Sequence, residues 1–451
     1  MPYAHISWLT LRQQLAARLY DSTNVFWADD EVSVILTEAM RTWGILSGFW
    51  RERGTFNTAA DTAFYDIPSS ITSGLLNYTV TDRDLIKSLQ YNLLESASSQ
   101  TAWNGTEMYS LDDLTKAIQR RRDQFLQDTG CNLTRSTQAV APPPIGRINL
   151  ADDIIDIRRL AWNASDGYQL LYREDEFSLT AFDQGWSVNP DTPYGYSVMA
   201  TQPVQVQLGP VPIVSGTLDI VAVEAGGTLD PAASATTIPV LDDLTPFIKW
   251  GALADLLGKD GVARDPERAQ FCEKRYQQGV QLTKMMSCVL TAQLQGVPVQ
   301  PTTFYDLDTG NLNWQNKSGE PEDVALGGLN LMAIRPVPDD IYSVTADVVR
   351  KAPIPANDGA VVQLGREQID AILDYAEHLA LFKVGGVEFA ATLRQADNFM
   401  LQAVTYNQRL GAAARFVVAP REYSQKESQM NPRLRRSIAL GAAPSLEAVN
   451  G

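Results

Sequence analysis

The sequence is constrained most by a pattern that occurs twice along the chain. In each occurrence a strand-like run, a second strand-like run, a helix, a glycine-rich break and a second helix follow in that order. The matched segments are 199–204 with 332–337, 218–221 with 346–349, 250–262 with 375–387, and 185–193 with 314–321. Because four matches keep one order, the pattern predicts a diverged internal duplication of a β/α unit. Two unrelated α/β stretches that share turn residues remain the alternative.

Changes in hydrophobic periodicity predict the rest of the organisation. Residues 1–135 carry apolar spacings typical of helices, including one that begins at Asp29 and ends near Gly48. Three prolines at 142–144 favour an extended linker, and alternation with a period of two residues follows them. We therefore predict an α+β protein with a helical bundle core and β-strand insertions. Its parts are an N-terminal helical region 1–135, a first β/α unit 145–295, a second, repeat-like β/α unit 297–415 and an extended C-terminal tail 420–451.

The charge balance argues against one class of function. The chain has 37 Lys and Arg against 53 Asp and Glu, which gives a formal net charge of −16. A general nucleic-acid binder needs a cationic surface that displaces counterions from phosphates, so this function is not expected. The sequence has no leader of the secretory type and no apolar run of about 18 residues, and we expect a protein made in a reducing cytoplasm.

The chain offers little material for catalysis. Its two histidines, His5 and His378, lie far apart in the sequence, and His378 is interpreted as a helix-face or interface residue. The zinc-binding His-Glu-x-x-His pattern, the phosphate loop, the dinucleotide-binding glycine pattern and the nucleophile elbow do not occur in the sequence. We therefore predict a protein that is not an enzyme, with no catalytic residue, no metal-binding residue and no cofactor.

The acidic residues that come nearest to a functional pattern are also interpreted as structural. Asp306 and Asp308 have the spacing of a calcium-binding loop but lack the glutamate that closes it. Adjacent aspartates at 152–153 and 242–243 are interpreted as cap and turn residues.

Two basic groups are the candidate contact residues. Lys116, Arg120, Arg121 and Arg122 lie in the later part of a predicted helix, where the helix dipole favours cations. A solvated face or a subunit contact explains them better than nucleic-acid binding. The second group lies in the C-terminal tail, which lacks periodicity, and consists of Arg421, Lys426, Arg433, Arg435 and Arg436. We expect this tail to be mobile or to be ordered by a partner.

Three segments carry a family resemblance. Residues 10–32 are T-L-R-Q-Q-L-A-A-R-L-Y-D-S-T-N-V-F-W-A-D-D-E-V, residues 36–43 are L-T-E-A-M-R-T-W, and residues 64–68 are F-Y-D-I-P. Together they resemble the opening of tailed-bacteriophage head-to-tail adaptor (connector) proteins, which have a short helix, a Phe-Trp turn, an acidic cap, a Glu-Ala-x-Arg-x-Trp helix and a Tyr-Asp-Leu-Pro step. The resemblance covers most of residues 5–290, and the repeat extends it to about 412. The length is similar to an enlarged, podovirus-type version.

The resemblance implies a structural protein of the virion. Adaptors of this family form a ring, typically of twelve copies, beneath the portal and join it to the tail. The implied partners are the portal protein, a downstream tail or nozzle protein and further copies of the chain, with genomic DNA passing transiently through the lumen. The tail 420–451 has the position from which adaptors dock on the portal. The implied location is the head–tail interface, after synthesis in the bacterial host cytoplasm, and an anionic lumen would let DNA pass without sticking.

Two other functions remain open at the level of sequence. A receptor- or glycan-binding tail or surface protein would expose Trp162, Trp186 and Trp314 as sugar platforms, whereas an adaptor would bury them in turns and strands. A carboxylate-based hydrolase would need two acids that face each other across a cleft. The exposure of the three tryptophans therefore discriminates between the first two functions.

Overall fold

The chain folds into an α+β structure, as predicted. A computed structural model describes residues 5–67, 78–95, 99–101, 107–141, 147–165, 167–199, 201, 203–261, 264–299, 302–310 and 314–409. The helices are α1 Trp8–Arg18, α2 Asp29–Ser47, α3 Asp82–Asn92, α4 Leu111–Thr129, α5 Glu176–Phe182, α6 Thr245–Gly258, α7 Pro266–Met285, α8 Phe304–Gly310, α9 Arg366–Leu381 and α10 Gly386–Arg409. Short 3-10 turns occupy Asp242–Leu244, directly before α6, and Trp314–Asn316.

Nineteen strands accompany these helices in the described part of the chain. They are β1 Arg51–Asn57, β2 Phe64–Asp66, β3 Thr134–Val140, β4 Ile148–Asn149, β5 Ile154–Ala164, β6 Gly167–Arg173, β7 Pro190–Asp191, β8 Gly195–Met199, β9 Gln205–Gly209, β10 Val211–Pro212, β11 Gly216–Glu224, β12 Val289–Leu294, β13 Val297–Val299, β14 Thr302–Thr303, β15 Ser318–Gly319, β16 Asp323–Gly327, β17 Leu331–Arg335, β18 Val337–Pro338 and β19 Ser343–Val349.

The ends of the N-terminal helices follow from local side-chain chemistry. The side chain of Thr81 accepts a hydrogen bond from the amide of Asp84, and the Asp84 carboxylate accepts one from the Thr81 amide, which makes a capping box for α3. Helices α2 and α4 both begin with acidic residues, which favour the positive end of the helix dipole. Both end at a glycine, Gly48 and Gly130, with a left-handed φ of 58°. This backbone conformation is less favourable in free energy for a residue that has a Cβ than for glycine.

The strands form two arrangements with one common order. The first is a seven-stranded sheet in the order β3-β11-β5-β6-β8-β9-β4. The second consists of two four-stranded sheets in the orders β1-β19-β12-β13 and β14-β16-β17-β2. Reading the second pair end to end gives the succession of the first sheet when the two short strands β13 and β14 together take the place of β6. The two-stranded pairs β10-β7 and β15-β18 also correspond, because each joins a Val-Pro strand in parallel to a strand that precedes it in the chain.

The pairing register of the strands also corresponds between the seven-stranded sheet and the β1-β19-β12-β13 sheet. Arg135 of β3 lies opposite Val221 of β11, and Arg53 of β1 lies opposite Asp347 of β19. On the far side of the same strands, Val221 lies opposite Arg159 of β5, whereas Asp347 lies opposite Thr291 of β12. These pairs give residue-by-residue equivalents between the two sheets.

The helices extend this correspondence to two complete units. The residue before α1, Ser7, forms an isolated bridge with Val361, and the residue before α3, Thr81, forms one with Thr237. One unit, which we call the inserted unit, is residues 78–285 with α3, α4 and β3 to α7. The other, the split unit, is residues 5–67 and 287–409 with α1, α2, β1, β2 and β12 to α10. The inserted unit therefore lies in the chain between the two parts of the split unit.

This nesting bears on the predicted parts of the chain. Strands β1 and β2 of region 1–135 pair with β19 and β17 of unit 297–415, whereas helices α3 and α4 of the same region belong to the inserted unit. The predicted N-terminal region is thus divided between the two units. The equivalence of Trp186 and Trp314 supports the predicted duplication.

The match of 199–204 with 332–337 is wrong in register, because residue 199 ends β8 whereas residue 332 lies within β17, the counterpart of β9. The match of 218–221 with 346–349 is displaced by two residues, because the strand register makes Val221 equivalent to Asp347. The match of 250–262 with 375–387 is displaced by one residue, because Lys259 and Lys383 form equivalent ion pairs.

The units share one apolar core. The largest buried cluster takes residues from α1, α2, α3, α4, α6, α7, α9 and α10, so it joins the helices of both units. A second cluster lies inside the seven-stranded sheet of the inserted unit and includes Leu160, Trp162, Val206 and Leu218. The bundle of helices is therefore the common support from which both sheets project.

Candidate assembly interface

A buried ion pair joins the sheet of the inserted unit to the split unit. Arg159 of β5 donates to both carboxylate oxygens of Asp308 at 2.8 Å, and the two side chains are 5 % and 6 % exposed. Burial alone would lower the pKa of Arg159, but the charges of Asp308 and Tyr168 together raise it. The Trp314 indole nitrogen also donates to Asp308 at 2.8 Å. The carboxylate is therefore fixed by both units.

A second contact joins the helices of the two units. Glu38 of α2 accepts hydrogen bonds from Lys249 and, at 2.8 Å, from the indole nitrogen of Trp250 in α6. All three side chains are buried. Lys87 of α3 forms an ion pair of 3.0 Å with Asp30 of α2. A face of α2 in the split unit thus receives α3 and the first turns of α6 in the inserted unit.

Aromatic packing extends the helical contact to α7. Phe271 of α7 meets His378, Phe382 and Phe389 with ring centroids 5.0 to 6.0 Å apart. Arg275 lies over the ring of Tyr375, 5.3 Å from its centre. Complete burial lowers the pKa of Arg275 to about 10.

The two units use different faces for this contact. The split unit contributes α8 with Trp314, together with α2 and α9, whereas the inserted unit contributes its sheet together with α3, α6 and α7. Because the units share one topology but not one contact face, the contact is heterologous. Heterologous contacts build rings where the rotation closes and filaments where it does not.

The predicted basic cluster on α4 divides into buried and exposed side chains. Arg122 is fully buried and donates to the carbonyl oxygens of Gly226 and Gly227, both at 2.7 Å. Arg121 forms an ion pair of 2.6 Å with Asp255 and is largely buried. These two residues hold the inserted unit together, and their side chains are not presented at the surface.

Lys116 and Arg120 retain exposed side chains, at 74 % and 65 %. They line a groove of about 720 Å³ between α4 and the end of α6. A subunit contact stays a prediction for this cluster. Arg421, Lys426, Arg433, Arg435 and Arg436, the predicted portal-docking residues, lie outside the described residues.

The acidic residues singled out in the sequence have structural contacts. Asp242 accepts hydrogen bonds from the Thr79 amide at 2.7 Å and from Lys351 at 3.1 Å. Burial alone would raise the pKa of Asp242, but the hydrogen bonds from Thr79 lower it. Asp243 accepts from the amide of Ala352 at 3.2 Å. Both aspartates thus connect the start of α6 to the split unit, and Asp308 belongs to the Arg159 ion pair.

The sequence did not single out Arg159 or Lys249, and Glu38 was noted only as the glutamate of the Glu-Ala-x-Arg-x-Trp segment, with no contact assigned to it. One signal was available: Thr180 and Trp186 have the same spacing as Asp308 and Trp314. In the structure the Trp186 indole nitrogen donates to the Thr180 hydroxyl at 3.0 Å, which is the counterpart of the Trp314–Asp308 bond.

The described residues contain no helix that is long and apolar enough to cross a membrane. No group of three or more His, Cys, Asp or Glu side chains in them is arranged to hold a metal ion.

No protein-family model matches the sequence, and no curated protein matches it.

Replacing Arg159 tests the contact between the sheet and the split unit. Arg159→Met leaves the buried carboxylate of Asp308 without its cation, and we expect a loss of about 3–5 kcal/mol in the free energy of unfolding. Denaturant titration followed by tryptophan fluorescence measures this loss. The control is Arg264→Met, which removes an exposed pair with Asp260 and should change the value by less than about 1 kcal/mol. Equal small losses in both variants would contradict the account.

Replacing His378 tests the burial of α9. Burial, with a smaller effect of Arg275, lowers the pKa of His378 from 6.5 to about 3. The folded chain therefore holds a neutral imidazole that the unfolded chain protonates as the pH falls below 6.5. Its contribution to stability is present above pH 6.5 and is lost towards pH 3, by at most about 1.4 kcal/mol per pH unit.

His378→Gln should accordingly flatten the fall of the unfolding free energy between pH 6.5 and about 4. Urea titrations at a series of pH values give the slope for each chain. His5→Gln is the matched control because it removes the other imidazole from an exposed position. An unchanged slope in His378→Gln would show that the imidazole does not stay neutral in the fold.

Proposed function

We propose that this chain is a structural protein of a tailed-bacteriophage virion, a head-to-tail adaptor that forms a ring beneath the portal and joins it to the tail. The observation that carries the proposal is the heterologous contact between two units of one topology. A chain that already places one unit beside the next through unlike faces has the geometry that ring assembly requires. The resemblance of residues 10–43 to adaptor sequences supports the same function.

The exposure of the tryptophans favours this proposal over glycan binding. Trp162, Trp186 and Trp314 are 1 %, 5 % and 0 % exposed. An indole used as a sugar platform has to present one face to solvent, whereas these three fill the interior of turns and strands. The aromatic residues that prompted the alternative therefore support packing within the units.

The proposed partners follow from this location. The ring contacts the portal above and a downstream tail or nozzle protein below, and genomic DNA passes through its lumen. The basic tail 420–451 is proposed to dock on the portal, because its five cations contrast with the net charge of −16 for the whole chain. Synthesis in the bacterial host cytoplasm and incorporation at the head–tail interface complete the proposal.

Native mass spectrometry with negative-stain imaging tests the proposal. The purified protein, alone and mixed with the portal protein of its phage, should form a ring that binds the portal. A variant that ends at residue 419 should keep the ring and lose the portal, because it lacks the basic tail. A stable monomer or trimer that ignores the portal would contradict the adaptor function.

A further inference from the structure

The two units leave unlike faces exposed, one on each unit. We propose that copies of this chain join head to tail through a contact that repeats the contact between its own two units, with the inserted unit of one copy receiving the split unit of the next. The proposal rests on the ring of the proposed function and names the surfaces that form it.

The first exposed surface is the layer around α5 in the inserted unit. Its counterpart in the split unit, α8 with Trp314, is covered by the sheet of the inserted unit through Arg159 and Asp308. Around α5 the corresponding position, Thr180, is exposed. Four large apolar side chains are exposed on α5 and next to the β7–β10 pair: Phe177, Phe182, Val188 and Ile213. Clustered exposed apolar residues of this kind mark contact sites in soluble proteins.

The second exposed surface is the groove between α4 and the end of α6. Lys259 pairs with Asp113 at 2.8 Å here, as Lys383 pairs with Glu31 at 2.8 Å in the split unit. In the split unit α3 fills the corresponding place with Ser88, Tyr91 and Asn92 and leaves about 10 Å³. In the inserted unit the groove remains open with about 720 Å³. The element that corresponds to α3 is α1, so α1 of a second copy is the occupant that the fold supplies.

The split unit exposes the faces that match these surfaces. Arg53 of β1 and Thr291 of β12 are exposed, whereas their counterparts Arg135 and Arg159 face the split unit. Tyr20, directly after α1, is 98 % exposed. Within the described residues, the inserted unit therefore leaves the layer around α5 and the groove between α4 and α6 uncovered. The split unit leaves uncovered the sheet with β1 and β12 and the helix α1, which correspond to the elements that cover such surfaces inside the chain.

The contact between the two units of one chain and the proposed contact between two copies differ at three pairs of residues. In each pair the residues of both units have changed. The first pair is the buried ion pair. Arg159 corresponds to Thr291 by strand register, and Asp308 corresponds to Thr180 by its bond to the tryptophan indole. A contact between copies would therefore place Thr180 against Thr291. The Thr291 hydroxyl donates to Asp347 at 2.7 Å, and Arg53 balances the charge of that carboxylate at 2.8 Å. The contact would therefore bury no unpaired arginine or aspartate, which avoids a large desolvation cost.

The second pair reverses its polarity. Glu38 and Arg120 both lie ten residues before the glycine that ends their helix, and Trp250 and Asp374 both lie nine residues before the equivalent lysines. Within the chain the carboxylate of Glu38 accepts from the Trp250 indole. Within one chain Arg120 pairs with Asp255, and Asp374, which is 42 % exposed, pairs with Arg18. Between copies the guanidinium of Arg120 would add a hydrogen bond to the carboxylate of Asp374. Acceptor and donor have exchanged sides, so complementarity is kept.

In the third pair the large and the small side chain change places between the two units. Tyr91 of α3 and Val34 of α2 line the same place between the units. Their counterparts are Ala17, ten residues after the cap of α1, and Lys116 of α4. The small side chain of α1 would therefore face the long side chain of α4.

Because each chain supplies two units, a closed ring of such contacts has twice as many units as chains.

Cysteine cross-linking tests the proposed contact. Thr180→Cys and Thr291→Cys are prepared as separate proteins, which is feasible because Cys131, Cys272 and Cys288 are buried. Mild oxidation of the mixture should give covalent dimers, and oxidation of either protein alone should not. The double variant should give a ladder of higher multimers. Thr180→Cys mixed with Lys317→Cys is the control, since Lys317 is exposed outside all four surfaces.

Charge reversal gives an independent readout at Arg120 and Asp374. Arg120→Glu and Asp374→Arg should each weaken self-association by at least about tenfold, and the double variant should recover most of it. Lys317→Glu should leave association unchanged. Sedimentation velocity over a range of concentrations, with and without portal protein, measures each effect.

The outcomes separate this inference from the proposed function. Rings that bind the portal but give no cross-link between positions 180 and 291 would overturn the contact and leave the adaptor function in place. Cross-linked head-to-tail copies that ignore the portal would support the contact and contradict the adaptor function. A protein that stays monomeric with and without portal, including one whose tail 420–451 fills the groove, would overturn both.

Discussion

The packing of the inserted unit's sheet against the split unit is the constraint on which the rest of the structure depends. At its centre the Arg159 guanidinium and the Asp308 carboxylate lie away from water, where neither charge is tolerable alone. Trp314 and Tyr168 supply the remaining hydrogen bonds. This cluster fixes the position of one unit relative to the other, and with it the groove, the layer around α5 and the uncovered sheet.

The nested order of the chain explains how such a contact arises within one polypeptide. Strand β1 pairs with β19 although 294 residues separate the paired residues Arg53 and Asp347, and the inserted unit is completed before its partner's second part begins. The internal duplication predicted from the sequence would produce this order if the copy were placed inside the first unit. The unlike faces that meet within the chain then leave the complementary faces exposed at its two ends.

Local chemistry was enough to predict much of the fold. The acidic start of α2 at Asp29 and its end at Gly48 follow from helix dipoles and glycine conformation, and the structure confirms both. The partner of the strand at Phe64 could not be assigned from the sequence, because β2 pairs with β17, far away in sequence. Likewise Arg159 and Asp308 have no local signal as a pair. Long-range register, not propensity, decides both cases.

The central claim is that the rotation relating the two units within a chain also relates the inserted unit to the next copy's split unit. An electron cryo-microscopy map of the assembled particle measures both rotations directly. The account predicts a closed ring in which the two rotations agree in direction and axis, with residue 180 of one copy near residue 291 of the next. A particle built from copies related by a two-fold axis, with the groove of α4 and α6 empty, would contradict it.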